Sequence, residues 1–130
     1  ISENEDVMLV KPQTFMNESG RAISNFKFQI SNLVVIHDDV DLPLGKIKFS
    51  KDSGAGGHKG VESIIQHLGN NNFIRLKIGV ATSQSPAKEV VLEKFTPEDQ
   101  EVLHEVIKKS AQALKYLLEN GLEKTMNQYN

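Results

Sequence analysis

Short apolar stretches separated by polar turns run through the first two thirds of this chain. Residues 7–10 (V-M-L-V) and 33–36 (L-V-V-I) are continuous apolar runs, which is typical of strands buried on both faces. Residues 46–50 and 73–80 instead alternate, with apolar side chains on one side and lysine or arginine on the other. These segments predict four strands, two of them buried and two amphipathic.

A spacing of three to four residues between apolar positions predicts the helices. One covers residues from about 16 to 28, and a second covers 61–68 and ends at Gly69. A long helix begins after Thr96, which is a good N-cap, and runs to about residue 120. Its predicted inward residues are Leu103, Val106, Ile107, Leu114, Leu117 and Leu118. A last short helical piece follows Gly121.

Strands that alternate with helices predict an α/β fold with a partly parallel sheet. The 130 residues suit one domain that is large enough to bury a core. There is no cysteine, which excludes a disulfide framework and a thiol nucleophile. No apolar run approaches the length of a membrane span, and no signal peptide is visible. We therefore expect a cytoplasmic protein.

The net charge of −2 excludes binding to nucleic acid by bulk charge alone. The distribution of charge along the chain is more informative. Four lysines, Lys46, Lys48, Lys51 and Lys59, lie in a short span beside a glycine-rich turn. Such a cluster of positive charges suits a polyanionic ligand. A strand whose lysines simply face solvent explains the same pattern, so composition leaves both interpretations open.

Residues 37–41 (H-D-D-V-D) directly follow a predicted buried strand, at the sheet edge where ligands of α/β proteins bind. A carboxylate here could orient a histidine base by accepting a hydrogen bond from one ring nitrogen. Carboxylate oxygens also suit a magnesium or calcium ion. The third interpretation is an acidic turn in which Asp side chains accept hydrogen bonds from nearby backbone amides. The spacing does not decide among these three.

Two further segments combine a turn with a helix start. The glycines of residues 54–60 (G-A-G-G-H-K-G) would let a ligand approach the backbone, and the following helix presents free N–H groups to an anion. A tight strand-to-helix turn is the structural alternative. Asn17 could present its amide to a substrate carbonyl or to water, or could simply cap the helix that follows.

Taken together, these segments resemble the bacterial-type peptidyl-tRNA hydrolase family. The matching motifs are K-P-Q-T-F-M-N-x-S-G at 11–20, H-D-x-x-D-L-P-x-G at 37–45 and G-G-H-x-G at 56–60, followed by L-G at 68–69 and F-I-R-L-K-I-G at 73–79. They stand in the family's order and cover most of the chain. The family cleaves the ester that joins a peptide to tRNA, which recycles tRNA from stalled translation, and it uses no metal or other cofactor. Its fold is a single α/β domain with a twisted mixed sheet flanked by helices.

The resemblance implies roles for individual residues. The catalytic set would include Asp38, which orients the catalytic histidine, and Asn17, which places the substrate carbonyl or the water. Met16 would line the site, and His58 would contact the substrate near the scissile ester. Lys59 stands where the family usually has Asn, so an amide contact is replaced by a positive charge beside an anionic substrate.

The partner implied by the resemblance is peptidyl-tRNA, held at its acceptor stem and 3′ end. The residues expected to meet its phosphates are Lys46, Lys48, Lys51, Arg75 and Lys77. The resemblance further implies a monomer that does not associate with membranes.

One part of the family's pattern is absent from these residues. The catalytic histidine of the family lies in a Thr-Arg-His-Asn motif that follows an Asn-Pro-Gly turn, and neither occurs here. We therefore expect residues 1–130 to form one domain without the first strand and helix of the complete fold, and to be inactive alone. Two alternatives stay open, a non-catalytic RNA-binding relative of the same fold and a metal-dependent hydrolase that uses the acidic segment.

Overall fold

The computed structural model describes residues 2–3, 7–11, 19–20, 32–52, 54–56, 58–82 and 95–130. The elements, in chain order, are β1 (Ser2–Glu3), β2 (Met8–Leu9), β3 (Val34–Pro43), β4 (Ile47–Lys51), α1 (Lys59–Leu68), β5 (Ile74–Ala81), α2 (Pro97–Asn120) and α3 (Leu122–Tyr129). The chain divides into two compact units, one formed by Ile1–Gln29 with Ser53–Asn71 and the other by Ile30–Asp52 with Asn72–Asn130.

The second unit is built on a three-stranded sheet in the order β3-β5-β4. β3 runs parallel to β5, and β4 runs antiparallel to it. The sheet is therefore mixed, and with its helices it confirms the predicted α/β class with a partly parallel sheet. No helix among the described residues is long and apolar enough to cross a membrane.

β3 extends further than the sequence pattern predicts. Residues 37–41, predicted as a turn, continue the parallel ladder with β5 as far as Asp39, which lies opposite Gly79. The register then shifts between Asp39 and Pro43. Inside this irregular stretch the backbone N–H of Asp41 donates to Asp39 Oδ1 at 2.8 Å. The acidic segment thus forms a bulge within β3 and does not end the strand. Pairing with β5 outweighs the weak strand preference of Asp.

Gly79 lies where β5 passes closest to this bulge. A Cβ atom on Gly79 would overlap the carbonyl oxygen of Pro43 and would lie 2.7 Å from that of Leu42. Those carbonyls belong to the backbone and cannot rotate away as a flexible side chain could. The close passage of the two strands therefore requires glycine at this position.

The core of the second unit lies between one face of the sheet and the helices α2 and α3. Its buried residues are Ile47, Phe49, Leu76, Val106, Ala113 and Leu117. Partly buried side chains pack around them, including Ile74 and Ile78 of β5 and Met126 and Tyr129 of α3. The predicted alternation of β4 and β5 is confirmed, since their apolar positions supply the sheet side of this core.

α2 begins as predicted. Thr96 Oγ1 accepts from the N–H of Asp99 at 3.1 Å, while Asp99 Oδ2 accepts from the N–H of Thr96 at 3.0 Å. This capping box satisfies two donors that a helix start otherwise leaves free. The helix ends at Gly121, which has φ 85° and donates its N–H to the carbonyl of Leu117.

The inward face of α2 was predicted only in part. Val106 and Leu117 are buried as expected, but Ile107 is 53% exposed and Leu118 is 64% exposed. Ser110 and Ala113 are buried instead. Ser110 Oγ donates to the Val106 carbonyl at 2.8 Å, which satisfies the buried hydroxyl.

The side chain of Asn130, just beyond α3, binds the backbone of β4. Its Oδ1 accepts from the N–H of Phe49 at 2.7 Å, and its Nδ2 donates to the Phe49 carbonyl at 2.9 Å. Among the described strands, β4 lies at one side of the sheet. The amide of Asn130 therefore pairs with β4 as the peptide group of a neighbouring strand would.

The first unit contains α1 and a two-stranded ribbon in which β1 pairs with β2. α1 confirms the predicted helix. Gly69 ends it with φ 78°, and its N–H donates a hydrogen bond to the carbonyl of Ile65. Ser19 and Gly20 are helical, and the Gly20 N–H donates to Ser63 Oγ at 2.9 Å. The other residues of the helix predicted from about 16 to 28 lie outside the described part of the chain.

The prediction of a buried strand at residues 7–10 was wrong in extent and in burial. Only Met8–Leu9 is a strand, and both of its side chains are exposed. Its partner in the described structure is the two-residue Ser2–Glu3. A ribbon this short has no sheet face against which to bury them. The sequence also predicts a polar loop over residues 81–88, and residues 83–88 of it lie outside the described residues.

Candidate functional site

β3 carries its acidic residues on opposite faces of the sheet. Side chains alternate along a strand, so Asp38 lies on one face and His37 and Asp39 on the other. The register pairs Asp38 with Ile78, whose partner on β4 is Ile47. Asp38 therefore lies on the same face as the core. It is exposed there, one residue before the bulge begins.

The position of Asp38 is one that functional residues often take. It lies near the carboxyl end of the regular parallel ladder between β3 and β5, where α/β sheets bind ligands. Bulges are frequent beside active sites because they redirect the side chains next to them. The structure thus presents the carboxylate that the sequence singled out on an accessible part of the sheet edge.

The opposite face of the sheet is cationic. Its central row runs from His37 on β3 through Lys77 on β5 to Lys48 on β4, and Arg75 lies two residues before Lys77 on the same face. Asp39 adds one carboxylate. We call these five residues the basic face.

The cations of the basic face influence one another. Burial lowers the pKa of the Lys77 ammonium below its usual value, and the positive charges of Arg75 and Lys48 lower it further, while Asp39 opposes them. Burial also lowers the pKa of the Arg75 guanidinium, again against Asp39. A phosphate bound here would relieve the repulsion among these cations, so the arrangement favours an anionic ligand.

Arg75 is held by His37. Arg75 Nε donates to His37 Nε2 at 3.1 Å, and His37 Nδ1 lies 2.7 Å from the carbonyl oxygen of Asp38. Arg75 is only 3% exposed, so its guanidinium is an interior cation of the basic face. Sequence reasoning did not select His37 as a site residue. The signal that could have found it is non-local, because it depends on the register between β3 and β5.

The structure separates the remaining predicted phosphate contacts. Lys46 is exposed just before β4, two residues from Lys48, and alternation places it on the side of the basic face. Lys51 pairs with Ile74, so it lies on the face that carries the core. The structure therefore does not bring Lys51 together with Lys48 and Lys77.

The site residues of the first unit have local roles in the structure. His58 is the N-cap of α1, and its Nδ1 accepts from the N–H of Val61 at 3.2 Å. Lys59 is exposed, with its Nζ 3.9 Å from Glu62 Oε2. These observations fit the structural alternative for the glycine-rich segment, in which His58 serves as a cap. Met16 and Asn17 lie outside the described residues.

The acidic segment does not converge on a common point. Asp38 and Asp39 lie on opposite faces of β3, and Asp39 accepts from the backbone of Asp41. Within the described ranges, no group of three or more His, Asp or Glu side chains could hold a metal ion.

Comparison with known proteins agrees with this α/β fold and its mixed sheet. A sequence model of the family described as peptidyl-tRNA hydrolase matches residues 1–130. The peptidyl-tRNA hydrolase of Thermodesulfovibrio yellowstonii is 43% identical over 135 residues, which cover 98% of this chain and 72% of that protein. That of Carboxydothermus hydrogenoformans is 43% identical over 129 residues, covering 95% and 69%.

Solved structures give the same result. The crystal structure of peptidyl-tRNA hydrolase from Acinetobacter baumannii matches with a TM-score of 0.76 and 30% identity, over 90% of this chain. The match spans 62% of that solved chain, which is less than two thirds of its length. This chain belongs to the peptidyl-tRNA hydrolase family, as the sequence motifs predicted.

Proposed function

We propose that the protein hydrolyses the ester bond between peptide and tRNA, releasing free tRNA. The observation that carries the proposal is the family match along residues 1–130, which includes the segment around Asp38. The accessible position of Asp38 beside the bulge supports a role in chemistry, and the basic face supports a polyanionic substrate. The protein acts as a monomer in the cytoplasm, without association with membranes.

In the proposed reaction, water attacks the ester carbonyl while an imidazole takes its proton. Asp38 accepts a hydrogen bond from that imidazole and so fixes its tautomer. Asn17 and a backbone N–H donate to the oxyanion of the tetrahedral intermediate. When the intermediate collapses, the bond between the carbonyl carbon and the tRNA oxygen breaks, and the imidazolium gives its proton to that oxygen, which leaves a peptide acid and free tRNA. Met16 lines this site.

The histidine that acts as base is not one of the four in these residues. His37 binds Arg75 on the face opposite Asp38, and His104 is exposed on α2. In the other unit, His58 caps α1, and His67 Nδ1 lies 2.9 Å from the Ser63 carbonyl. We propose that the base belongs to a Thr-Arg-His-Asn motif, as the family resemblance implies. His58 and Lys59 contact the substrate near the ester.

Two adjacent residues test the proposed chemistry. Asp38→Asn, made in a polypeptide that also carries the histidine motif, should lower kcat by about 10- to 100-fold, which is part of what general base catalysis contributes. KM should change little, because the phosphate contacts are intact. Asp39→Asn is the matched control, since it makes the same change one residue along on the other face and should leave kcat near that of the parent. Equal kcat values for the two variants would contradict the role of Asp38.

The basic face would hold the acceptor stem of tRNA through its phosphates. Such contacts give strong salt dependence and little sequence selectivity. We expect Lys48→Ala and Lys77→Ala each to weaken binding of an acceptor-stem hairpin and to reduce the slope of log K against log salt by about one. The measurement is fluorescence anisotropy across a salt series.

Two control lysines sharpen this experiment. Lys51 lies on the other face of the sheet, so Lys51→Ala tests whether phosphates are bound only on the basic face. Lys108→Ala, on an exposed position of α2, controls for the loss of any positive charge. Equal loss of affinity in all four lysine variants would show that net charge, and not the basic face, holds the RNA.

A second candidate function is RNA binding without catalysis, for which the basic face is the supporting observation. It predicts affinity for peptidyl-tRNA with no turnover, even in a polypeptide that carries the motif. A metal-dependent hydrolase would instead lose its activity when a chelator is added.

A further inference from the structure

A close contact joins the helical residue Gly20 to α1 within the first unit. Ser19 and Gly20 are both buried, and the N–H of Gly20 donates to Ser63 Oγ at 2.9 Å. Ser63 is itself only 3% exposed. A Cβ atom on Gly20 would overlap the carbonyl oxygen of Ser63 and would lie 2.6 Å from His67 Nδ1. The backbone at Gly20 therefore lies directly against α1, an approach that requires glycine.

The donor in this contact is one that a helix start usually satisfies with its own side chains. Backbone N–H groups of the first helical turn have no carbonyl partner within the helix. The sequence predicts a helix from about residue 16, with Asn17 as its possible N-cap. Counted from Asn17, Gly20 is the third helical residue, from whose N–H a capping side chain commonly accepts. In the structure, Ser63 Oγ accepts from this N–H.

This contact bears on the role of Asn17, for which the sequence leaves both helix capping and substrate binding open. A capping Asn holds its side-chain oxygen against a backbone N–H of the first turn, which constrains the direction of its NH2 group. Where another residue supplies the acceptor, the Asn side chain can direct its NH2 donors toward a substrate oxygen. Ser63 supplies such an acceptor at Gly20.

Ser63 also relates Asn17 to another residue of the first unit that is proposed to contact substrate. His58 is the N-cap of α1, and Ser63 lies in the second turn of that helix. Asn17 shortly precedes Gly20 along the chain. The bond between Gly20 and Ser63 thus ties the segment that follows Asn17 to the helix that begins at His58.

We propose that Ser63 is a positioning residue for catalysis, which accepts from the Gly20 N–H in place of Asn17 and so keeps the Asn17 amide directed at the substrate. The inference rests on the proposed function, because the donor that Ser63 positions is the one proposed for the oxyanion. It adds to that function a buried residue that touches no substrate and acts through Asn17.

A double-mutant cycle on Ser63 and Asn17 tests this dependence, in a polypeptide that also carries the histidine motif. Asn17→Ala removes an oxyanion donor and should lower kcat about 10²-fold. Ser63→Ala leaves the Gly20 N–H to the Asn17 side chain and should lower kcat about tenfold, part of what such a donor contributes, with little change in KM. Added to Asn17→Ala, it should lower kcat by less than about twofold, because the side chain through which Ser63 acts is gone.

The matched control is Ser110→Ala, which removes the hydroxyl of another buried serine, one that bonds within its own helix. It should leave kcat near that of the parent. Ser63→Cys fills the same space with a weak acceptor and should behave as Ser63→Ala does. Urea unfolding identifies which variants fold, and Ser63→Cys carries the test if Ser63→Ala does not.

Amide exchange gives a readout that needs no substrate. In ¹⁵N-labelled protein, the Gly20 N–H should exchange slowly in the parent and in the variants Ser63→Ala and Asn17→Ala, since either side chain can accept from it. It should exchange fast only in the double variant. Fast exchange in Ser63→Ala would show that Asn17 does not take over the bond, which would overturn the inference.

The kinetic outcomes separate this inference from the proposed function. A parent polypeptide that carries the histidine motif and does not hydrolyse peptidyl-tRNA would refute the proposed function itself. Asn17→Ala with the kcat of the parent would refute the role of Asn17 and, with it, that of Ser63. Ser63→Ala with the kcat of the parent, or with the same loss in the presence and absence of Asn17, would overturn the role of Ser63 alone.

Discussion

The 130-residue polypeptide assayed alone should cleave peptidyl-tRNA about 10²–10⁴-fold more slowly than the same polypeptide extended at its N-terminus by a segment that carries a Thr-Arg-His-Asn motif. This range is what a positioned general base contributes to proton transfer in a transition state. Within the second unit, the ring of His37 is bonded to Arg75 on the opposite side of the sheet from Asp38, so it cannot take the place of that base.

The experiment compares the two polypeptides on one peptidyl-tRNA substrate under single-turnover conditions. A third polypeptide carries the same extension with its motif histidine changed to alanine, and it should be as slow as the 130 residues alone. This control separates the contribution of the imidazole from that of added structure. Equal rates for all three would contradict the proposed mechanism, and tight RNA binding with no turnover in any of them would favour a binding protein.

Substitution of Gly79 should strongly destabilise the fold. Gly79→Ala places a methyl group onto the carbonyl oxygens of Pro43 and Leu42, both of which are backbone atoms of the bulge. Relief requires β3 and β5 to move apart, which would disturb the ladder that carries Asp38. We expect the free energy of unfolding to fall by at least about 3 kcal/mol, at the upper end of values for inserted volume.

The control for this prediction is another glycine with open space around it. A Cβ atom on Gly54 would meet nothing within 4 Å, and Gly54→Ala should change the free energy of unfolding by no more than about 1 kcal/mol. Urea unfolding monitored by circular dichroism gives both values. A Gly79→Ala protein as stable as the parent would show that the two strands do not pass so closely.

Local patterns in the sequence were sufficient for much of the fold. The alternation of residues 46–50 and the capping signal at Thr96 predicted β4 and the start of α2, because each depends on neighbours within a few residues. The length of β3 was not predictable in this way, since the strand continues through Asp38 and Asp39 only because β5 lies beside it. The burial of Ser110 likewise depends on tertiary packing and not on the local pattern.

The candidate site was predictable only where a motif marks it. Asp38 stands in a recognisable motif, and its role stays a prediction, as do those of Asn17 and Met16. The link between His37 and Arg75 has no signature in the sequence, because the two residues are far apart in the chain and meet only through the register of parallel strands. The family resemblance implied that Arg75 meets phosphate, and this role stays a prediction for a side chain that the structure shows to be buried.

The pairing of Asn130 with Phe49 bears on how copies of this protein behave toward one another. An outer strand with a free N–H and C=O is a template on which a second molecule can add its own strand, the first step of aggregation. The amide of Asn130 occupies this template at Phe49. Because both bonds come from the Asn130 side chain, we expect proteolytic removal of Asn130 to expose the backbone of β4 at Phe49 and to promote self-association.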